Sequence, residues 1–145
     1  MSEITFTEAF AKYGAVLSNR QWSFSAIAPD GALVISCWQH KIKTAEGLWR
    51  YSDCLSRFKQ SNAAGRNEFI KHLRQAYDEK LRVRLIIVIV SPEDAARVDA
   101  GEDASGLRKT FHVREDYVGE IETFDGDAYT IAFKKTPKPQ REKVS

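Results

Sequence analysis

The stretch that most limits how this chain can fold runs from Leu81 to Val90, Leu-Arg-Val-Arg-Leu-Ile-Ile-Val-Ile-Val. Leu81, Val83 and Leu85 alternate with Arg82 and Arg84, the period-2 pattern of a strand with one wet face. From Leu85 onward every side chain is apolar and mostly β-branched, which suits a pleated surface. Such a run needs cover on both faces, so it predicts a central strand whose beginning emerges at a surface. It is far too short to span a bilayer.

The elements on either side of it can be read in order. Thr5-Phe-Thr-Glu8 is a capping box, followed by the stripe Phe6, Ala9, Phe10 and Tyr13, and predicts a short helix from about Phe6 to Tyr13. Gln21 to Ala28 and Ala32 to Ile42 read as two strands joined by the turn Pro29-Asp-Gly31. If that loop holds three residues, Trp22 and Trp38 stand opposite each other on one face; if it holds two, Trp38 moves to the other face. Thr44-Ala-Glu-Gly47 marks another turn, and Leu48 to Ser52 returns as a third strand, completing a meander, although Leu48, Tyr51, Leu55 and Phe58 also fit a helical stripe. After a polar loop over Lys59 to Gly65, a helix from Arg66 to Glu79 carries Phe69, Ile70, Leu73, Ala76 and Tyr77 on one side. Ser91-Pro-Glu-Asp94 starts a further short helix to about Val98, with a capping Ser, Pro in the first turn and two acids there. A loop over Gly101–Gly106 precedes strands at Thr110–Arg114, Tyr117–Phe124 and Ala128–Lys134, the last two joined at Asp125-Gly126.

These pieces predict an α+β fold, a mostly antiparallel sheet with two or three helices packed on it, with a partly closed barrel as the alternative. At 145 residues, a single globular domain over residues 1–135 and a disordered basic tail over residues 136–145 are expected. The start of the chain lacks the basic and apolar blocks of a signal peptide, and two cysteines are too few for a secreted disulfide scaffold. A cytoplasmic protein without membrane contact is the expectation.

A net charge of +2 conceals a segregation of charge along the chain. Residues 41–84 carry 11 Lys and Arg against 5 Asp and Glu, whereas residues 91–133 carry 4 against 11. A basic middle is compatible with phosphate binding, and equally with an unevenly charged solvated surface. Trp22, Phe24, Trp38, Trp49 and Tyr51 fall within the meander beside Lys41, Lys43 and Arg50. Aromatic rings flanked by cations on a sheet are what base stacking or capture of an extruded base requires, though a domain of this size also needs such rings in its core. Arg82 and Arg84 could grip phosphates or pair with the acidic stretch from Glu115 to Asp127.

Two constellations with catalytic overtones are weaker. Asp30 followed by Gln39 and Lys41 resembles a metal-dependent nuclease pattern, but at roughly 3.3 Å per residue along one strand Asp30 and Gln39 would stand about 30 Å apart. Cys37-x-x-His40, with Cys54 and His72, has the residue types of a zinc site, but an odd separation within a strand sends Cys37 and His40 to opposite faces. No cofactor is expected, and His40, His72 and His112 have no nucleophile or carboxylate at a known spacing.

Trp22-Ser-Phe-Ser25, Leu33-Val-Ile-Ser-Cys-Trp-Gln39 and the helix leading into Arg82-Val-Arg-Leu-Ile-Ile-Val88 together resemble small DNA-binding modules that stand alone or precede HNH-type, modification-dependent restriction nucleases. The resemblance covers about residues 20–125 and rests on a pattern of strands and aromatics. It implies a module that binds DNA and reads a methylated or otherwise modified base. No HNH or cysteine-rich nuclease segment is present, so recognition without cleavage is what it implies here. The expected site is therefore Trp22, Trp38 and Trp49 against a base, with Lys41, Lys43, Arg50, Arg82 and Arg84 on the backbone. The alternatives are an interaction or structural protein, such as a homodimer, and a small nuclease using Asp30, Gln39 and Lys41.

Overall fold

The computed structural model describes residues 4–19, 23–58, 63–100 and 107–136. The first helix, α1 (Phe6–Ala11), is held by the expected capping box, in which the Thr5 hydroxyl accepts from the Glu8 amide (3.1 Å) and Glu8 accepts from the Thr5 amide (2.8 Å). It ends two residues earlier than expected, and Tyr13 lies in the turn that follows. Strand β1 (Ser25–Ile27) then pairs antiparallel with β2 (Leu33–Trp38), with Ala28 and Ala32 closing a three-residue loop. That is the register placing positions 22 and 38 opposite each other, but Trp22 lies outside the described residues.

Strand β2 does not continue to residue 42. A 3-10 turn over Gln39–Lys41 breaks it, and the chain begins a new strand, β3 (Ile42–Ala45), followed by β4 (Leu48–Cys54). The two are joined by Glu46 and Gly47, whose φ values of 53° and 81° match the twist of a two-residue hairpin. The expected meander is corrected here. The β3–β4 hairpin does not sit beside β2; it joins the opposite side of the sheet.

A second 3-10 turn (Leu55–Phe58) leads towards α2 (Ala63–Glu79), which enters β5 (Val83–Ile89), the central strand. Then come α3 (Pro92–Asp99), β6 (Thr110–Val113), β7 (Tyr117–Phe124) and β8 (Ala128–Lys135). The expected loop over 101–106 and the tail from residue 137 fall outside the described residues. The eight strands form one sheet in the order β1-β2-β5-β7-β8-β4-β3, with β6 pairing on the second half of β5. Only β2 and β5 run parallel, and the chain between them passes through the β3–β4 hairpin and α2. The sheet is open, with β1 and β3 at its ends, rather than closed as a barrel.

Both faces of β5 are covered, as its unbroken apolar run requires. Val83, Leu85 and Ile87 join the main cluster under Phe69, Leu73 and Ala76 of α2. Ile86 belongs to the opposite cluster with Ala9 and Phe10 of α1, Ala26 and Val34. Each such fully buried side chain contributes about 1.5–3 kcal/mol by leaving water, so the two faces share the stabilisation.

Candidate nucleic-acid interface

The sheet's pairing register decides which face each cation occupies. One row of directly paired residues crosses seven strands: Ile27, Leu33, Val83, Gly119, Phe133, Trp49 and Thr44. This row faces α2 and the main core. Successive residues of a strand point to opposite faces. The chain neighbours of that row (Arg84 after Val83, Lys134 after Phe133, Arg50 after Trp49 and Lys43 before Thr44) therefore share the other face.

That outer face has two halves. Over β1, β2, β5 and β6 it is covered by α1 through Ala9, Phe10, Phe111 and Val113. Over β7, β8, β4 and β3 it lies open: Lys43, Arg50, Ser52, Glu120 and Lys134 are exposed, and Leu48, Val118, Thr130 and Ala132 are half-buried. Lys43 stands directly across from Arg50, which pairs with Ala132, and Ala132 pairs in turn with Glu120. Lys134 lies one row along, between Leu48 and Val118.

All three expected site arginines have protein partners. Arg50 donates from Nε and Nη2 to both oxygens of Glu122 (3.0 and 3.1 Å), which holds the Glu122 carboxyl below the usual range. Glu122 reaches this face by the same alternation as Glu120, just before the bulge in β7 between Ile121 and Thr123. Arg84 donates from Nη2 to the Glu115 carbonyl (2.7 Å) and lies over the Tyr13 ring at 4.8 Å. Arg82 meets Asp30 at 3.6 Å with both side chains largely exposed. Lys43 and Lys134 make no ion pair among the described residues. A cleft of about 210 Å³ beside Arg84 is lined by Lys12, Tyr13, Ala28, Asp30, Arg84 and Glu115, cations and carboxylates in equal number.

Lys41 and Trp38 stand apart from this face. Lys41 reaches Asp99 (3.5 Å) and Asp53 (4.0 Å), and Asp99 also meets His40 Nε2 (2.9 Å). This cluster ties the 3-10 turn to the end of α3; Asp99 is partly desolvated, but His40 and Lys41 outweigh that and lower its pKa. Trp38 is half-buried against the main core, with the His40 ring 6.2 Å away. Trp49 lies on the α2 side, stacked on Tyr117 at 3.9 Å and 17°. The Arg114 guanidinium is 5.2 Å from one ring centre and 5.0 Å from the other, a position at the edges of the stack, and it pairs bidentately with Asp116. Trp49 and Arg50, adjacent in the chain, thus work on opposite sides of the sheet.

The catalytic constellations are not assembled. Asp30 sits in the β1–β2 loop, accepting from the Ala32 amide, whereas Gln39 and Lys41 lie beyond the far end of β2. Cys37 is buried, and burial pushes its thiol well above the ordinary range, away from the thiolate a metal needs. Among the described residues no three His, Cys, Asp or Glu side chains are placed to hold a metal ion.

Sequence reasoning missed one pairing. Ser25 Oγ lies 2.7 Å from His72 Nδ1, and Glu68, one turn back on α2, accepts from the Ser18 hydroxyl. Burial lowers the His72 pKa against the opposing pull of Glu68. Ser25 is 0% exposed, so no substrate atom reaches its hydroxyl; the pair fastens β1 to α2. Alternation marks Ser25 as facing the same way as Ile27, but only the docking of α2 brings His72 to it.

Comparison of the chain with protein-family models, with curated proteins and with solved structures found no match. Among the described residues no helix is long and apolar enough to cross a membrane.

Proposed function

We propose that this protein is a non-enzymatic nucleic-acid-binding module, and that DNA is its ligand. The observation that carries the reading is the gathering of Lys43, Arg50, Lys134 and Arg84 on one outer face of the sheet, half of it uncovered by any helix, against Glu120 and Glu122. Two of these cations, Lys43 and Lys134, have no anion to leave among the described residues, and Arg50 is held by an exposed pair that salt and competing phosphates weaken. Arg84 is fixed in direction by Tyr13 and the Glu115 carbonyl, which lowers the entropy lost when it meets a phosphate. Arg82, exposed at the entry to β5, extends the group. The resemblance to modules of modification-dependent nucleases adds a modified base as part of the ligand, with Trp38 and the neighbouring strand ends as its reader. Two free cysteines suit a reducing cytoplasm as the place of work.

The test is fluorescence anisotropy with labelled duplexes, unmodified and cytosine-methylated, at two salt concentrations. Binding at low salt that weakens steeply as salt rises is expected, and Lys43→Gln combined with Lys134→Gln weakens it further while circular dichroism stays unchanged. A protein that binds neither duplex at low salt, at concentrations of about 10⁻⁴ M, where even non-specific binders are occupied, is not a DNA-binding module.

A further inference from the structure

Over β7, β8, β4 and β3 the rings and the open cations lie on opposite sides of the sheet. Trp49, Phe133 and Tyr117 face α2, where Trp49 and Tyr117 are already stacked on each other and Phe133 is buried. The outward positions of β7, β8, β4 and β3 hold Lys43, Arg50 and Lys134 with Glu120 and Glu122, among aliphatic and hydroxyl side chains, and no ring among the described residues. Proteins that hold single strands do so by stacking bases on exposed rings inside a basic groove. This face offers three cations, two carboxylates and no ring to stack on.

Its breadth points the same way. From β3 to β7 the open face crosses three inter-strand spacings, about 14 Å at roughly 4.8 Å each, and half-buried Arg84 stands on β5 at the border of the part that α1 covers. That is broader than the major groove, about 12 Å, and much broader than the minor groove, about 6 Å. A sheet this wide lies across a groove rather than in it, with Lys43 and Arg50 towards one wall and Arg84 towards the other.

Resting on the proposed DNA-binding reading, we infer that the β3–β4–β8–β7 face takes the phosphates of double-stranded nucleic acid from both strands at once, bridging a groove without contacting base edges. Any base preference of the protein then comes from residues outside this face. Four cations meeting phosphates give a slope of log K against log salt of about −3.6, and removing two of them moves it to about −1.8.

The experiment is a competition series in which the full chain is titrated with a 20-base-pair duplex, a scrambled-sequence duplex and a single strand of the same length. Duplex binding at least about tenfold tighter than single-strand binding, equal for both duplex sequences, is the expected result, with the slope falling in the Lys43→Gln, Lys134→Gln double variant. A single strand bound as tightly as the duplex, or a slope unchanged in the double variant, overturns the inference while leaving DNA binding intact. Loss of all binding to every oligonucleotide instead removes the reading beneath it. A Glu120→Gln variant, at an exposed position of the same face, serves as the complementary measurement, expected to tighten duplex binding without touching the fold, and weaker duplex binding by it counts against the inference.

Discussion

The ring of Phe133 occupies the space beside the bare Cα of Gly119, so that a Cβ built on Gly119 would stand 2.6 Å from Phe133 Cε1 and 3.0 Å from the Ala132 carbonyl oxygen. The two are direct partners in the β7–β8 ladder, and the missing side chain is what lets Phe133 fill the row between Val83 and Trp49. Gly119→Ala is expected to destabilise the protein by about 1–3 kcal/mol through overpacking. In a Phe133→Leu background the same change should cost less, because the flat ring is gone. Chemical denaturation of the four proteins measures the coupling, and simple additivity would refute the steric account.

Tyr13 links three elements. Its hydroxyl donates to the Leu85 carbonyl (2.8 Å) and accepts from the Arg114 amide (3.2 Å), joining the end of α1 to β5 and to the turn before β7. Burial raises its pKa from 10.0 to about 12, against the lowering effect of Arg84. A raised phenol pKa supplies stability below pH 10 that is lost between 10 and 12, where the unfolded chain gives up its proton first. Tyr13→Phe should cost about 1–3 kcal/mol at pH 8 by stranding a buried donor and acceptor. That deficit should shrink above pH 10 in thermal melts, and a pH-independent difference would count against the assignment.

The Ser25–His72 pair makes the opposite prediction on the acid side. Burial lowers the folded-state pKa of His72 below its usual 6.5, so the unfolded chain binds this proton more readily. Stability is complete above about pH 6.5 and declines as pH falls towards the folded-state value. His72→Gln should flatten the fall in melting temperature between pH 7 and 5.5. Ser25→Ala should lower stability at pH 7 by about 1–3 kcal/mol, since it leaves His72 Nδ1 without its buried partner. Identical pH profiles for wild type and His72→Gln would exclude this imidazole as the acid-sensitive group.

Glu122 restrains Arg50 with both carboxylate oxygens. Removing that charge by Glu122→Gln should free the guanidinium from its competitor and tighten duplex binding, with the salt slope close to that of the unmodified protein. The melting temperature should change little, because the pair is exposed on both sides. Weaker binding by this variant would show that the pair positions Arg50 instead of competing for it.

Much of the fold was legible because its signals are local. The capping box at Thr5, the Ser91-Pro92 helix start, the Asp125-Gly126 hairpin and the apolar run of β5 each depend on residues a few positions apart, and each appears where expected. Period 2 likewise guaranteed that Trp49 and Arg50 would part company across the sheet. What alternation cannot supply is which face is inside, since both readings satisfy the pattern until neighbouring strands are assigned.

That assignment was made by long-range pairing. The 3-10 turn at Gln39–Lys41 freed β3 and β4 to join β8 instead of β2, carrying Trp49 and Lys43 away from Trp38. The bulge after Ile121 shifted β7 by one residue, so Phe124 turns back towards Tyr77 and Arg74 of α2 instead of facing out beside Glu122. Ser25 and His72, 47 positions apart, met only when α2 docked on β1. Caps, turns and alternation were thus determined by the sequence alone, because their energies arise between near neighbours. The common face of Lys43, Arg50, Lys134 and Arg84 was decided only by the tertiary structure, because it depends on which strands find each other across the whole chain.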